Sequence, residues 1–438
     1  MFRLLGALPA AARRNLLLLF CTSLLFWCSM ASLLPTLSLY AQDLGGTDQQ
    51  VGFVMGAFAV GLLLARTRFG RLADRQGRKI VLMIGTSVAM LAPVGYVFAH
   101  SIPVLIGLRM FHGLSIAAFT TAYAAFVVDV SPVKNRGEII GYMTLTQPVG
   151  VAVGPALGSF VQSEFGHMPT FTIAASFGLL ATLGMTLIQN PQRYDEAGGQ
   201  DTSEAIAPQN NGQNSPSPPQ ETSIWQRLLS PEITTPALVM LAIGLVFGIL
   251  STFIPLFIKS TGLNLIPGLF YTAAAIASFC ARFWVGKRSD RYGRGIFISI
   301  SLVCYLVSMV MLTTVNTIPL ILLAGFVEGL AAGLLFPGVI ALMSDRIAAH
   351  ERGQMFALTL MGFDCGIALA GPVLGGIADE MGYRVLFGIA AGLVVIAMAI
   401  FASRSNPTLR QSFDFALGRS PDLYAQPLPK PVVTKTAV

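Results

Sequence analysis

Residues 70–79 read GRLADRQGRK and residues 286–295 read GKRSDRYGRG. Both follow a long apolar run, and they lie 216 residues apart. The same offset carries His112-Gly113 onto Glu328-Gly329, Asp129 onto Asp345, and Arg136-Gly137 onto Arg352-Gly353. Gly154-Pro155 falls on Gly371-Pro372 with one extra residue. A repeat this long, built from apolar spans, is a unit duplicated in parallel, as transporters are built and soluble solenoids are not.

Working outward, apolar stretches lie at 16–40, 50–68, 80–99, 103–128, 138–161 and 169–189. A second six lie at 233–258, 265–285, 296–314, 318–343, 353–377 and 384–402. Their lengths suit the ~17–25 residues that a membrane helix needs. Hydrophobic residues are 54% of the chain and charged residues 11%, far below the ~25% charge of a soluble domain. Backbone groups in lipid must bond within their own segment, so the spans are helices. The expected fold is all-α and membrane-embedded: 12 transmembrane helices in two pseudo-symmetric six-helix bundles.

The expected division is a cytoplasmic N-tail at 1–15, one bundle at 16–189, a linker at 190–232, a second bundle at 233–402 and a C-tail at 403–438. The linker is rich in Gln, Asn, Ser, Pro and Gly and has too little apolar surface to offset chain entropy, so it reads as disordered. The polar, Pro-containing C-tail is expected to be mostly disordered too. The first apolar run is too long for a signal-peptide core and reads as a retained span.

Charge gives an independent reading. With the N-terminus inside, 25 of the 28 Lys and Arg fall in cytoplasmic segments, including all those from Arg66 to Lys79. Lys259 and Arg384 fall outside, and Arg109 lies within a span. This bias puts both termini in the cytoplasm of a bacterial inner membrane. The net charge of +7 therefore reflects topology, and no aromatic-interleaved basic patch points to nucleic acid. The five cysteines lie in apolar stretches without metal spacing and read as small hydrophobes. The four histidines are scattered, and no phosphate-cradling glycine loop occurs, so neither a metal, a cofactor, ATP nor an enzyme of the usual kinds is expected.

Twelve spans in two halves, a polar middle linker and G-x-x-x-D-R-x-G-R-K after the second span resemble the major facilitator superfamily, in particular its drug/metabolite:proton antiporter branch. The resemblance covers residues 15–402. The second loop keeps Gly286, Asp290, Arg291, Gly293 and Arg294 but ends in Gly295.

From the residues alone, Gly70 and Gly77 suit a tight turn and close helix approach. Asp74 offers an acceptor to Arg or to a helix N-terminus. Arg75, Arg78 and Lys79 hold the loop on the cytoplasmic side. The resemblance implies that Asp74, Arg78 and Asp129 latch the two halves in one state, with Asp290, Arg294 and Asp345 as a weaker counterpart. The alternative is that these residues only set topology.

The fourth span carries Arg109, expensive in lipid and so expected to face a cavity or a partner. Arg109, His112, Ile116 and Tyr123 share one helical face. The resemblance matches Arg109 and Gly113 to an R-x-x-x-G element tied to proton coupling; capping of carbonyls is the alternative. In the fifth span Gly150, Gly154, Pro155 and Gly158 form a small-residue stripe that permits close packing, with a Pro bend. This resembles an element of antiporting exporters and is the reason efflux is favoured; plain packing is the alternative.

Glu328 and Asp364 lie ten or eleven residues into the tenth and eleventh spans. At ~1.5 Å per residue each is ~15 Å deep, near the middle of a ~30 Å core. Desolvation there penalises charge, which suits reversible protonation or a cationic solute; a structural ion pair is the alternative. His112 is the repeat equivalent of Glu328, which suggests a His–Glu pair across a cavity. Gln147, Trp27, Phe119, Tyr123, Phe253 and Phe336 are weaker cavity candidates. The expected function is proton-coupled efflux of a small organic solute by a monomer in the bilayer. A proton-linked uptake symporter for a sugar, organic acid or peptide is the alternative, and a non-transporting receptor on the same fold is a third reading.

Overall fold

The structure is a computed structural model describing residues 10–131, 136–189, 230–347 and 352–426; the side chains of residues 10, 11, 283–291 and 352–354 lie outside the description. Among the described residues all regular structure is helical. In chain order the helices are α1 (Ala10–Ser32), α2 (Leu34–Asp43), α3 (Asp48–Gln76), α4 (Arg78–Val97), α5 (Ile102–Val130), α6 (Arg136–Met143), α7 (Thr146–Phe165) and α8 (His167–Leu187). They continue as α9 (Pro231–Ser260), α10 (Gly268–Tyr292), α11 (Arg294–Thr314), α12 (Ile318–Arg346), α13 (Arg352–Met381), α14 (Tyr383–Arg404) and α15 (Leu409–Ala416). Most of the expected linker, 190–229, lies outside the described residues.

Ten segments are long and apolar enough to cross a membrane, the first running from Ala12 to Asp43 through α1 and α2. The α6–α7 pair and α10 complete two sets of six by their place in the packing. Two crossings are broken where proline interrupts the backbone bonding. Pro35 sits at the start of α2, and Pro148 lies in the first turn of α7. Large apolar side chains such as Leu64, Val153, Leu183 and Val373 are exposed on the outside of the bundle, as a surface facing lipid requires.

The packing repeats with the sequence. In the first half α3 and α4 pack on α5, α4 on α8, and α1 on α7 and α8. In the second half α10 and α11 pack on α12, α11 on α14, and α9 on α13 and α14. The halves meet through α3 against α13, α7 against α10, and α2 against α9.

Two sequence expectations change. Helix α3 continues through residues 70–76, so Gly70 lies inside a helix beside Thr121, and the turn falls at Gly77, with φ +96°. Gly293 makes the equivalent turn, with φ +91°. The C-tail is not mostly disordered. Residues 405–426 fold onto the second half, with Arg346 bonding Asp422 at 2.7 and 3.0 Å and the Ser405 carbonyl at 2.7 Å. Composition suggested a solvated tail, but a buried guanidinium needs these acceptors.

Candidate functional site: charged groups inside and between the halves

Glu328 stands ten residues into α12, where it is only 7% exposed. Among the described residues it has no hydrogen bond or ion pair. Its electrostatic neighbours are Tyr271 on α10 and Tyr305 on α11. The Tyr271 hydroxyl donates to the Leu250 carbonyl at 3.1 Å, so it is not committed to the carboxylate. Gly329 lies so close to Ala274 that a Cβ would overlap its backbone, which holds α12 tightly on α10.

The first half has a cationic counterpart. His112 is fully buried and its Nδ1 lies 2.9 Å from the Tyr96 hydroxyl, while its Nε2 has no partner. The Arg109 guanidinium sits 4.4 Å from the centre of the Phe58 ring, a cation–π contact, and its Nε is unpartnered. Gly113 backs onto Phe58 with no room for a Cβ. Among the described residues His112 and Glu328 share no hydrogen bond or ion pair. Equivalent positions in the two copies turn toward their own bundle's neighbours, Tyr96 and Phe58 in one and Tyr271 and Tyr305 in the other.

Asp364, on α13, is 8% exposed, and its Oδ2 lies 2.7 Å from Arg66 Nη1 on α3. The contact is an ion pair by distance, yet that oxygen has no aligned hydrogen-bond donor, so attraction here is coulombic more than directional. Arg66 belongs to the first half and Asp364 to the second. Sequence reading counted Arg66 with the loop charges, but α3 carries it inside the protein.

The other polar contacts between the halves cluster at one end, opposite the chain's termini. Lys259 Nζ donates to Asp43 Oδ1 at 2.8 Å, while within the first half His167 Nε2 lies 2.8 Å from Asp43 Oδ2. Asp379 accepts from the backbone N–H groups of Asp48 and Gln49 at 2.8 and 3.1 Å. A carboxylate of one half thus caps the first turn of α3 in the other, where helix N-termini favour negative charge. The Tyr383 hydroxyl donates to Asp48 at 3.0 Å, and the Thr272 hydroxyl donates to the Ala152 carbonyl at 2.8 Å. Gly52 and Gly371 pack backbone to backbone across the same end, where a Cβ on either would overlap the other.

The remaining sequence candidates lie elsewhere in the two bundles. Gly150, Gly154 and Gly158 pack α7 onto Trp27, Cys28 and Ser32 of α1, and the Pro155 carbonyl touches Gly268 of the second half. Arg78 bonds Asp129 at 2.5 Å and the Ala125 carbonyl at 2.8 Å, and Arg294 bonds Asp345 at 3.1 Å. Each pair stays within one half. Asp74 is exposed with no partner among the described residues, and Arg75 lies in the last turn of α3. The side chains of Asp290 and Arg291 lie outside the description. Gln147 is exposed on the first turn of α7. Phe119 stacks between Phe26, at 3.9 Å, and Tyr123, at 5.0 Å, and Phe336 packs edge-on to Phe363 at 5.0 Å. Phe253 is fully buried, and Trp27 meets Phe26 edge-on. No group of three or more His, Cys, Asp or Glu able to hold a metal occurs among the described residues.

Two packed six-crossing halves with buried charges inside and between them define a membrane transporter, not an enzyme. The Major Facilitator Superfamily model matches residues 19–294 and 266–421, and the chain belongs to that family. It is 24% identical over 394 residues to the quinolone resistance protein NorA of Staphylococcus aureus (strain COL), covering 87% of this chain and 96% of that one. It is 24% identical over 380 residues to multidrug resistance protein 1 of Bacillus subtilis (strain 168), covering 85% and 92%. The fold matches an inward-facing, unoccupied bacterial homologue of the human lysosomal transporter Spinster, with a TM-score of 0.70 at 14% identity, covering 94% of this chain and 99% of that one. It also matches the nucleoside transporter NupG, with a TM-score of 0.67 at 15% identity, covering 89% and 98%.

Proposed function

We propose that this protein exports a small, drug-like organic solute in exchange for protons across a bacterial cytoplasmic membrane, as a monomer with both termini inside. The observation that carries the reading is the pair of buried carboxylates, Glu328 without a partner among the described residues and Asp364 engaged across the halves by Arg66. Relatives named for quinolone and multidrug resistance support export over uptake. The charge bias supports the orientation, which makes the closed end the outer one and the conformation inward-facing.

In this state the Glu328 carboxylate is available to a solute arriving from the cytoplasm. After the halves rock to open outward, protonation of Glu328 from outside removes the charge and weakens solute binding. Loss of that proton to the cytoplasm restores the site. Asp364 acts on the scaffold: protonation cancels its attraction to Arg66 and loosens the contact between α3 and α13. Arg109, one turn from His112, places positive potential in the opposite half. Asp74, Arg78 and Asp129, with Arg294 and Asp345, set the inner ends for a latch that forms when those ends close.

Proteoliposomes with an imposed pH gradient test this. Quinolone transport should follow the gradient and stop on adding an uncoupler. Glu328→Gln and Asp364→Asn should each abolish gradient-driven transport. Transport that persists in both variants, or that ignores the uncoupler, overturns the reading. Flux in inverted against right-side-out vesicles fixes the direction.

A further inference from the structure

The segment LRQSFDFA, residues 409–416, makes helix α15 four residues after the last crossing ends at Arg404. At 100° per residue its side chains fall into three sectors. Ser412, Phe415 and Ala416 are buried on the bundle. Phe415 packs 6.0 Å from Phe401 of α14, and its carbonyl lies against Gly295 of α11 where no Cβ fits. Arg410, Gln411 and Asp414 form a polar sector. Leu409, Phe413 and Leu417, spaced by four, form an apolar sector that is 70%, 53% and 40% exposed.

An apolar strip beside a polar one, on a helix with its third side fixed to protein, fits neither a core helix nor a solvated one. Its depth is set by its contacts. Phe401 lies three residues inside the end of α14, about 5 Å at ~1.5 Å per residue. That matches the ~5–10 Å at which interfacial helices seat. Exposed Arg404, Arg410 and Arg419 surround the strip, with Asp414 on the polar sector beside it and Asp422 held by Arg346.

We infer that α15 docks on the bilayer leaflet at the termini's end, its Leu409–Phe413–Leu417 strip in the acyl boundary and its arginines on anionic lipid phosphates. The helix is presented to lipid in a fixed pose. Thr408 caps its N-terminus, accepting from the Gln411 N–H at 3.3 Å. The Asn406 amide nitrogen donates to the Gln411 and Pro421 carbonyls at 3.3 and 3.2 Å, and its oxygen accepts from the Leu423 N–H at 3.0 Å. Arg346 ties the far end of the segment to the Glu232 carbonyl at the start of α9. Lipid contact at α15 therefore reaches α9, α11, α12 and α14 without a flexible link.

The test uses the full chain with its five cysteines replaced, reconstituted in phosphatidylglycerol–phosphatidylcholine vesicles. A nitroxide is placed in turn by Leu409→Cys, Arg410→Cys, Phe413→Cys and Asp414→Cys. Labels at 409 and 413 should be open to oxygen and shielded from a water-soluble nickel chelate, and labels at 410 and 414 the reverse. In vesicles of phosphatidylcholine alone, the label at 413 should become more accessible to nickel. Equal nickel accessibility at 413 and 414 overturns the inference. So does shielding of 413 from both reagents, which would mean that a second copy or another protein covers the strip.

Discussion

Arg66 Nη1 and Asp364 Oδ2 lie 2.7 Å apart across the boundary between the two halves. The duplication puts Arg282 at the place of Arg66, 216 residues on, and Gln147 at the place of Asp364, 217 residues back. One boundary thus carries a carboxylate and the other a neutral amide, while Arg282 keeps a buried Nε with no partner among the described residues. Two halves that match in fold therefore differ in the group placed at their two equivalent boundaries.

If Arg66 and Asp364 act as a unit, removing either should have the same effect. Like Asp364→Asn, Arg66→Ala should abolish gradient-driven transport. The double variant should be no worse than either alone, because the interaction is already gone. Initial rates in proteoliposomes check this, and additive losses would show that the residues act separately.

The Gly52–Gly371 contact leaves no room for a methyl group. Gly52→Ala and Gly371→Ala should hold the end opposite the termini open, lengthen a spin-label distance measured across it, and cut transport sharply. Gly392→Ala is the control, since nothing lies within 4 Å of a Cβ there. That change should leave transport intact and add roughly 0.5–1 kcal/mol of helix stability.

The Lys259–Asp43 ion pair at the same end is a weaker closure. Lys259 and Asp43 are 52% and 45% exposed, and exposed pairs contribute only ~0–1 kcal/mol. Asp43→Lys should therefore slow transport a few-fold, and Asp43→Lys combined with Lys259→Asp should recover most of it. No recovery on charge reversal would assign Asp43 to its other partner, His167.

The Arg346–Asp422 pair is a different case, because its side chains are 1% and 8% exposed. Removing one member strands a buried charge, at a cost of about 3–5 kcal/mol. Arg346→Ala and Asp422→Ala should lower the melting temperature in detergent micelles markedly. Truncation after Arg404 should destabilise at least as much.

Much of this was legible in the sequence. Apolar runs and the 216-residue offset foretold the helical class and the repeated packing, because lipid imposes length and hydropathy on every crossing. They marked the burial of Glu328 and Asp364 for the same reason. Arg66 was not legible as a partner. Hydropathy reports where lipid ends, whereas α3 stays helical to Gln76 and carries its charge beside α13. Arg78 and Asp129 were legible as residues, but their bond within one half depends on conformation. The folded C-tail was hidden because Arg346, its anchor, lies 76 residues before Asp422, and composition carries no long-range contact. The particular neighbours of His112 and Glu328 were not legible, because repeat equivalence fixes position in the fold, not the direction in which a side chain turns.

The central claim is that solute and protons exchange through buried carboxylates. Its most direct test is proton movement driven by a quinolone gradient in proteoliposomes carrying a trapped pH-sensitive dye. Wild-type protein should move protons against the direction of solute flow, and the Glu328→Gln, Asp364→Asn double variant should move none. Solute crossing without any change in dye signal, or proton movement at the wild-type rate in the double variant, would contradict the account.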